Sequence, residues 1–199
     1  AVFGMIATLM TIQMGDESGY LVTKDQPTKI AAMEAIWETH EAPAPLTLFA
    51  IPDEAAQTNH AQIDVPWLFG LMGTRSLSTE IPGIKELTAQ AEQRIVNGQK
   101  AIGVLEQLRK DPANEQLREQ FLAVRDDLGF GLLLKRYTND VNAATPEMIK
   151  QAAADTIPSV TPMFWSFRIM VGSGLAMALV FVLGLFYSFR NEIAEKAWY

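Results

Sequence analysis

IMVGSGLAMALVFVLGLFYSF, residues 169–189, is a run of 21 residues without an acidic or basic side chain. At about 1.5 Å per residue in an α-helix, such a run covers the roughly 30 Å hydrocarbon core of a bilayer. Arg168 and Arg190 bound it. A buried core helix is the alternative, but soluble cores seldom contain an apolar run of this length. The run therefore predicts a transmembrane helix, to which we assign residues 163–189.

The N-terminal end of the chain is apolar as well. Residues 1–14 read AVFGMIATLMTIQM and carry no charge, but they are too few to span a bilayer. A secretory signal is the competing interpretation, although the run lacks a basic start and a small-residue cleavage site. We interpret residues 1–14 as the C-terminal half of a transmembrane helix, and we expect the chain to be a central fragment of a longer protein.

A polar, acidic block lies between these ends. The net charge is −7, and residues 16–160 hold 21 of the 23 acidic and 13 of the 16 basic residues. This balance argues against nucleic-acid binding, which needs a basic patch. The absence of cysteine excludes disulfides and thiolate metal sites, and two histidines, His40 and His60, leave little for zinc or a catalytic triad. Because Arg190 and Lys196 follow the span, we expect residues 15–160 to be extracytoplasmic and 190–199 to form a cytoplasmic flank.

The block is predicted to be largely helical, so the predicted fold is mainly α, with membrane helices flanking an extracytoplasmic loop domain. A short amphipathic helix is expected at about 28–39, and residues 42–66 are expected to be irregular, with a strand-like piece at 46–51. Residues 66–73, PWLFGLMG, suit an interfacial or partly buried turn of helix, because they are too short to span.

Two longer helices follow and suggest an αα-hairpin. The apolar spacing predicts the first at 84–110, and Asp111 with Pro112 predicts an N-cap and a first helical position for the second, at about 113–127. Thr145 and Pro146 predict the start of a further short helix that reaches about Thr156.

Several strings, in order along nearly the whole chain, resemble subunit I of the cytochrome bd ubiquinol oxidase family. They are GDESGY at 15–20, TKIAAMEAIWET at 28–39, TLF at 47–49, TRS at 74–76, GIKEL at 83–87, DLGFGLLLKRY at 127–137 and FRIM at 167–170. Each is weak alone, but together they are specific. The helical pair at about 84–127 resembles the insertion of the long quinol-loop form of this subunit.

The resemblance implies a quinol:oxygen oxidoreductase of the bacterial inner membrane, multi-pass, with the loop in the periplasm. It implies ubiquinol or menaquinol as substrate, the lipid bilayer and oxidase subunit II as partners, and it leaves a small accessory subunit open. It also implies a low-spin haem b, together with a haem b and a haem d at an oxygen site held by parts outside this chain. A membrane-tethered helical binding module without catalysis is the competing hypothesis.

The resemblance assigns quinol oxidation to Lys29 and Glu34. Quinol releases two protons with two electrons, so a carboxylate to accept a proton and a donor to hold a quinone oxygen are chemically reasonable. The i, i+5 spacing places the two about 140° apart on a helix, where they could flank a ring. Two solvated charges on an amphipathic helix are the alternative.

The same resemblance adds Asp16, Glu17 and Arg75 as quinol-binding candidates. Asp16 and Glu17 follow the first apolar run and could accept protons or simply end an interfacial helix. Arg75 could bind a quinone carbonyl or a carboxylate as a fixed-charge donor, and a surface arginine is the alternative.

Met170 and Arg168 carry the expected contact with haem. The resemblance makes Met170 an axial ligand of the haem b iron, whereas ordinary packing is the alternative. Arg168, at the membrane edge, could pair with a haem propionate or extend to the interface. The partner histidine is expected upstream of Ala1, so we expect the fragment alone to bind no haem stably and to be inactive.

Overall fold

The computed structural model describes residues 2–190; Ala1 and the predicted flank after Arg190, including Lys196, lie outside the described residues. The structure is 69% helical, which confirms the predicted mainly α fold. Within residues 2–190 the α-helices are α1 (Val2–Asp25), α2 (Pro27–Glu34), α3 (Ile84–Lys110), α4 (Glu115–Val124), α5 (Leu128–Gly131), α6 (Pro146–Ala154) and α7 (Val160–Phe189), and the strands are β1 (Leu46–Asp53) and β2 (Thr58–Val65). The residues form two compact units.

The first unit contains α1, α2, the two strands and α7. Helix α7 is the one helix among the described residues that is long and apolar enough to cross a membrane, and little of it is buried. Helix α1 does not end with the apolar run at 1–14 but continues through the charged sequence to Asp25. A Cβ at Gly4 of α1 would collide with the Phe181 ring of α7, so this glycine allows the two helices to pack closely.

Strands β1 and β2 form an antiparallel hairpin, with Leu46 opposite Val65 and Asp53 opposite Thr58. Asp53 Oδ1 accepts hydrogen bonds from the backbone N–H groups of Ala55 (3.0 Å) and Ala56 (2.9 Å), which fixes the turn. The strand-like piece expected at 46–51 is therefore confirmed as part of β1, whereas the expectation of irregular structure was wrong for β2. Strand β2, TNHAQIDV, is polar and mostly exposed, so no apolar alternation marks it in the sequence.

Helix α2 is shorter than the predicted helix at 28–39. It ends at Glu34 because Ala35 adopts a left-handed conformation (φ 51°) and the Ile36 N–H returns to the Ala31 carbonyl at 2.8 Å. Its buried face consists of Ile30, Ala31, Ala32 and Glu34.

The second unit contains α3 to α6. Helix α3 has the predicted bounds, and α4 packs against it, as the αα-hairpin prediction requires. Gly98 of α3 and Gly131 of α5 touch backbone to backbone, where a Cβ on either would collide with the other helix. Buried side chains complete this core: Ala91, Ile95, Leu134, Val141, Ala152 and Ala153.

The N-termini of two helices in the second unit can be compared with the predicted N-caps. Thr145 caps α6 as predicted, since its Oγ1 accepts from the Met148 N–H at 3.4 Å and Pro146 is the first helical residue. The predicted cap at Asp111 was wrong, because Asp111 follows the last residue of α3 and Asn114 caps α4 through a 3.1 Å bond from the Leu117 N–H. Pro112 accordingly lies in the connecting turn.

Candidate functional site

Glu34 and Arg168 form a buried ion pair within the first unit. Arg168 Nη2 lies 2.9 Å from Glu34 Oε2, and the side chains are only 14% and 4% exposed. Glu34 is the last residue of α2, and Arg168 lies in the third turn of α7. The pair therefore connects the short helix α2 to the apolar helix α7.

Backbone carbonyls and an aromatic ring complete the surroundings of Arg168. Its Nη1 donates to the Met33 carbonyl at 2.8 Å and to the Phe164 carbonyl at 3.3 Å, and its Nη2 also donates to the Thr47 carbonyl of β1. The guanidinium carbon lies 3.4 Å from the centroid of the buried Phe164 ring. Sequence reasoning did not identify the roles of Met33, Thr47 and Phe164, because backbone carbonyls carry no sequence signal.

Burial determines the protonation chemistry of Glu34. Loss of hydration raises the pKa of this carboxyl to about 7, although the charge and hydrogen bond of Arg168 act in the opposite direction. A carboxyl group with a pKa near 7 can both accept and release a proton at physiological pH. Burial therefore moves the titration of Glu34 toward neutral pH.

Arg75, Asp16 and Glu17 form a second, exposed cluster in the same unit. Arg75 Nη2 lies 3.0 Å from Asp16 Oδ2 and 2.7 Å from Glu17 Oε2. The guanidinium also stacks over the Tyr20 ring, at 4.4 Å from the centroid. Arg75 has a left-handed backbone (φ 52°) and directly follows a turn of π-helix at Gly70–Thr74. The cluster fastens this turn to α1.

Lys29 lies in the first turn of α2 and is half-buried. Its side chain makes no hydrogen bond or ion pair with any residue between 2 and 190. The structure thus pairs Glu34 with Arg168, and it pairs Arg75 with Asp16 and Glu17. None of these three carboxylates is paired with Lys29.

Met170 is 61% exposed on α7, two residues after Arg168. An exposed thioether has lone pairs that it can donate to a metal approaching from outside the chain. Met170 therefore fits the role of a ligand to a haem iron. Arg168 has fewer donors left for a haem propionate. Both of its terminal nitrogens already donate to protein oxygens, and only the buried Nε lacks an acceptor. Among residues 2–190 no group of three or more His, Cys, Asp or Glu side chains could hold a metal ion.

The two histidines lie in the hairpin region of the first unit. His40 pairs through its backbone with Ile81, and His60 Nε2 lies 3.5 Å from Asp53 Oδ2 at the end of the hairpin. Both contacts are outside α1 and α7, the two long helices of this unit.

The sequence is similar to known proteins over its whole length. The model of the cytochrome bd terminal oxidase subunit I family matches residues 1–199. The chain is 37% identical over 198 residues to cytochrome bd-II ubiquinol oxidase subunit 1 of Escherichia coli (strain K12), covering 100% of this chain and 38% of that protein. It is 25% identical over 198 residues to cytochrome bd ubiquinol oxidase subunit 1 of Bacillus subtilis (strain 168), covering 100% of this chain and 30% of that protein.

The chain thus spans about a third of the length of these relatives. The family match, in contrast, extends over every residue of the sequence. The chain belongs to the cytochrome bd terminal oxidase subunit I family.

Proposed function

We propose that this chain is the quinol-oxidising part of a cytochrome bd-type terminal oxidase. In the full subunit, electrons from ubiquinol or menaquinol pass to a low-spin haem b and serve to reduce dioxygen to water. One observation carries the proposal: the buried Glu34–Arg168 pair joins the loop helix α2 to α7 only two residues before Met170. This connection places a proton acceptor on α2 beside α7, the helix that carries the candidate iron ligand.

Glu34 is the proton acceptor in this proposal. Oxidation of a quinol to a quinone releases two electrons and two protons, and the protons need a base close to the quinol hydroxyls. A carboxyl with a pKa of about 7 takes up a proton at neutral pH and can then release it to the extracytoplasmic side. Arg168 holds the carboxylate in position through Nη2.

Lys29 is the donor to a quinol or quinone oxygen. Lys29 is half-buried, and its ammonium group has no hydrogen-bonding or ionic partner among residues 2–190, so its three N–H donors are available to a substrate. The expected angle of about 140° between positions 29 and 34 on a helix is compatible with the two side chains flanking a ring. Arg75, Asp16 and Glu17 would then contribute to quinol binding at the surface of α1.

Met170, which is exposed on α7, would be one of the residues that hold the haem b iron. Haem with methionine and histidine ligands has a raised reduction potential, which suits an acceptor of quinol electrons. The positive charge of Arg168, two residues before Met170, is paired with the Glu34 carboxylate at this end of α7.

The cellular setting belongs to the same proposal. We place the full protein in the bacterial inner membrane as a multi-pass subunit, with residues 15–160 on the periplasmic side and α7 as one of its spans. Oxidase subunit II would be its partner, and a small accessory subunit could join the complex. Proton release outside would contribute to the membrane potential.

The test uses the full-length subunit in its complex and measures quinol oxidation together with the reduced-minus-oxidised haem spectrum. Glu34→Gln is expected to reduce turnover by about 10²-fold or more, the usual effect of removing a general base. Glu38→Gln is the matched control, because Glu38 is an exposed carboxylate only four residues away. Met170→Leu is expected to shift or abolish the haem b band.

Two results would contradict the proposal. The first is a parent protein without a reducible haem b band. The second is quinol oxidation unaffected by both Glu34→Gln and Met170→Leu. Either result would favour the alternative of a membrane-tethered binding module.

A further inference from the structure

Large apolar side chains are exposed on the segment 66–77 of the first unit. Trp67 is 53% exposed, Leu71 49%, Met72 50% and Leu77 58%. The proposed redox chemistry uses none of these four residues. An exposed apolar group of this size in a short segment indicates a surface that makes a contact, because single exposed apolar residues are common but groups of them are not.

The segment is held in one conformation by hydrogen bonds within it and by one to the backbone of Ala44. Trp67 adopts a left-handed backbone (φ 55°), and the π-helical turn Gly70–Thr74 follows it. The Gly70 N–H donates to the Ala44 carbonyl at 3.0 Å, and Thr74 Oγ1 donates to the Gly70 carbonyl at 2.6 Å. The exposure of the apolar side chains is therefore a consequence of defined backbone geometry.

The same geometry separates an inward from an outward set of side chains. Phe69 is only 6% exposed, and its ring lies where a Cβ on Gly73 would fall. Trp67, Leu71 and Met72 on the same segment remain exposed. A segment that only needed to fold on itself would have no reason to keep three large apolar side chains outside.

The position of the segment along α1 indicates what covers these side chains. Arg75 binds Asp16 and Glu17, the first charged residues of α1, while residues 2–15 carry no charge. The apolar part of α1 is widely exposed, with Phe3 86% and Met14 73% accessible. The segment is thus fastened at the level where the surface of α1 changes from apolar to charged, which is the level of a membrane–water interface.

We propose that the segment 66–77 lies in the membrane–water interface, with Trp67, Leu71, Met72 and Leu77 in contact with lipid. The occupant of this surface is the bilayer itself, because the apolar group continues the exposed apolar surface of α1 at its polar boundary. Tryptophan is the residue type most enriched at that depth. The contact does not depend on quinol oxidation, and it would hold the loop domain against the bilayer from which a lipophilic substrate arrives.

The test uses spin labels on the full-length subunit in its complex, reconstituted in lipid nanodiscs. Labels are attached at Leu71→Cys and Met72→Cys in a background without other reactive cysteines, and at Leu122→Cys as a control. Leu122 is equally exposed (50%) but lies in α4 of the second unit. Accessibility to oxygen, which concentrates in lipid, is compared with accessibility to a water-soluble nickel chelate.

Lipid contact predicts high oxygen and low nickel accessibility at both segment positions and the reverse at Leu122. High nickel accessibility at Leu71 and Met72 would overturn the proposal, because the segment would then face water. Low accessibility to both reagents would also overturn it, because protein would then cover the segment. An unchanged haem spectrum in each labelled variant verifies that the complex is folded, and a loss of quinol oxidation in an unlabelled Glu34→Gln variant tests the redox proposal separately.

Discussion

The carboxylate of Glu34 and the guanidinium of Arg168 meet in a buried ion pair at 2.9 Å, although 134 residues separate them in the chain. Arg168 also donates to the carbonyls of Met33 and Thr47, so one side chain connects α7 to both α2 and β1. The stability of this unit and the protonation of Glu34 therefore depend on the same residue pair.

Removing the arginine alone should be costly. Arg168→Met leaves the Glu34 carboxylate buried without its counter-charge, and we expect a loss of about 3–5 kcal/mol in the free energy of unfolding. The double variant Glu34→Gln with Arg168→Met should lose less than the sum of the two single changes, because no buried charge remains. Denaturant unfolding of the purified complex measures all three. Additive losses would show that the two side chains do not interact.

Quinol oxidation should depend on pH through Glu34. Its pKa of about 7 lies above the ordinary 4.5, so the acceptor is protonated and inactive below neutral pH and becomes ionised as the pH rises. We expect kcat/KM to increase between about pH 6 and 8. The increase should persist in the control Glu38→Gln and disappear in Glu34→Gln. Arg168 is the charged group that faces Glu34 in this structure.

The same carboxyl group should affect stability with a definite sign. The pKa of Glu34 is higher in the folded than in the unfolded chain, so protonation of this carboxyl stabilises the folded state. This stabilisation is fully present below about pH 4.5 and is lost as the pH rises through about 7. The free energy of unfolding of the wild type relative to Glu34→Gln should therefore fall between pH 5 and pH 8. A difference that is constant over this range would contradict the raised pKa.

Glu54 should stabilise the start of α7. Its Oε1 accepts a hydrogen bond from the backbone N–H of Thr161 at 2.9 Å, which holds the pKa of Glu54 below its usual range. We expect Glu54→Ala to destabilise the protein by about 0.5–2 kcal/mol, as for the loss of a helix cap. Glu41→Ala, at an exposed glutamate, is the matched control. Thermal unfolding of both variants is the measurement, and equal melting temperatures would argue against the cap.

Gly98 should not tolerate a side chain. A Cβ at this position would meet the backbone of Asp127 and Gly131, so Gly98→Ala must separate α3 from α5. Overpacking of this kind costs about 1–3 kcal/mol. Gly129→Ala is the control, because nothing lies within 4 Å of the added Cβ and the helix gains a better former. Hydrogen exchange of the α3 amides reports the difference, and equal protection in both variants would disprove the steric argument.

Local patterns predicted the elements that depend on neighbouring residues. The uncharged run 169–189 predicted α7, and the apolar spacing from Ile84 to Lys110 predicted α3 with its observed bounds. Thr145 with Pro146 predicted the start of α6, because a cap acts on the N–H groups within the next turn. The analogous prediction at Asp111 was wrong, since Asn114 is placed to reach the Leu117 N–H and forms the cap instead.

The sequence by itself determined the apolar helix, the helical hairpin and the family, because each depends on short-range periodicity or on strings of adjacent residues. Only the tertiary structure decided the partner of Arg168, the pairing of polar β2 with β1, and the end of α2 at Ala35. The amphipathic pattern around Glu34 left open a solvated charge, whereas the structure buries its carboxylate against Arg168 of α7. Burial is a property of residues distant in the chain, which no local pattern encodes.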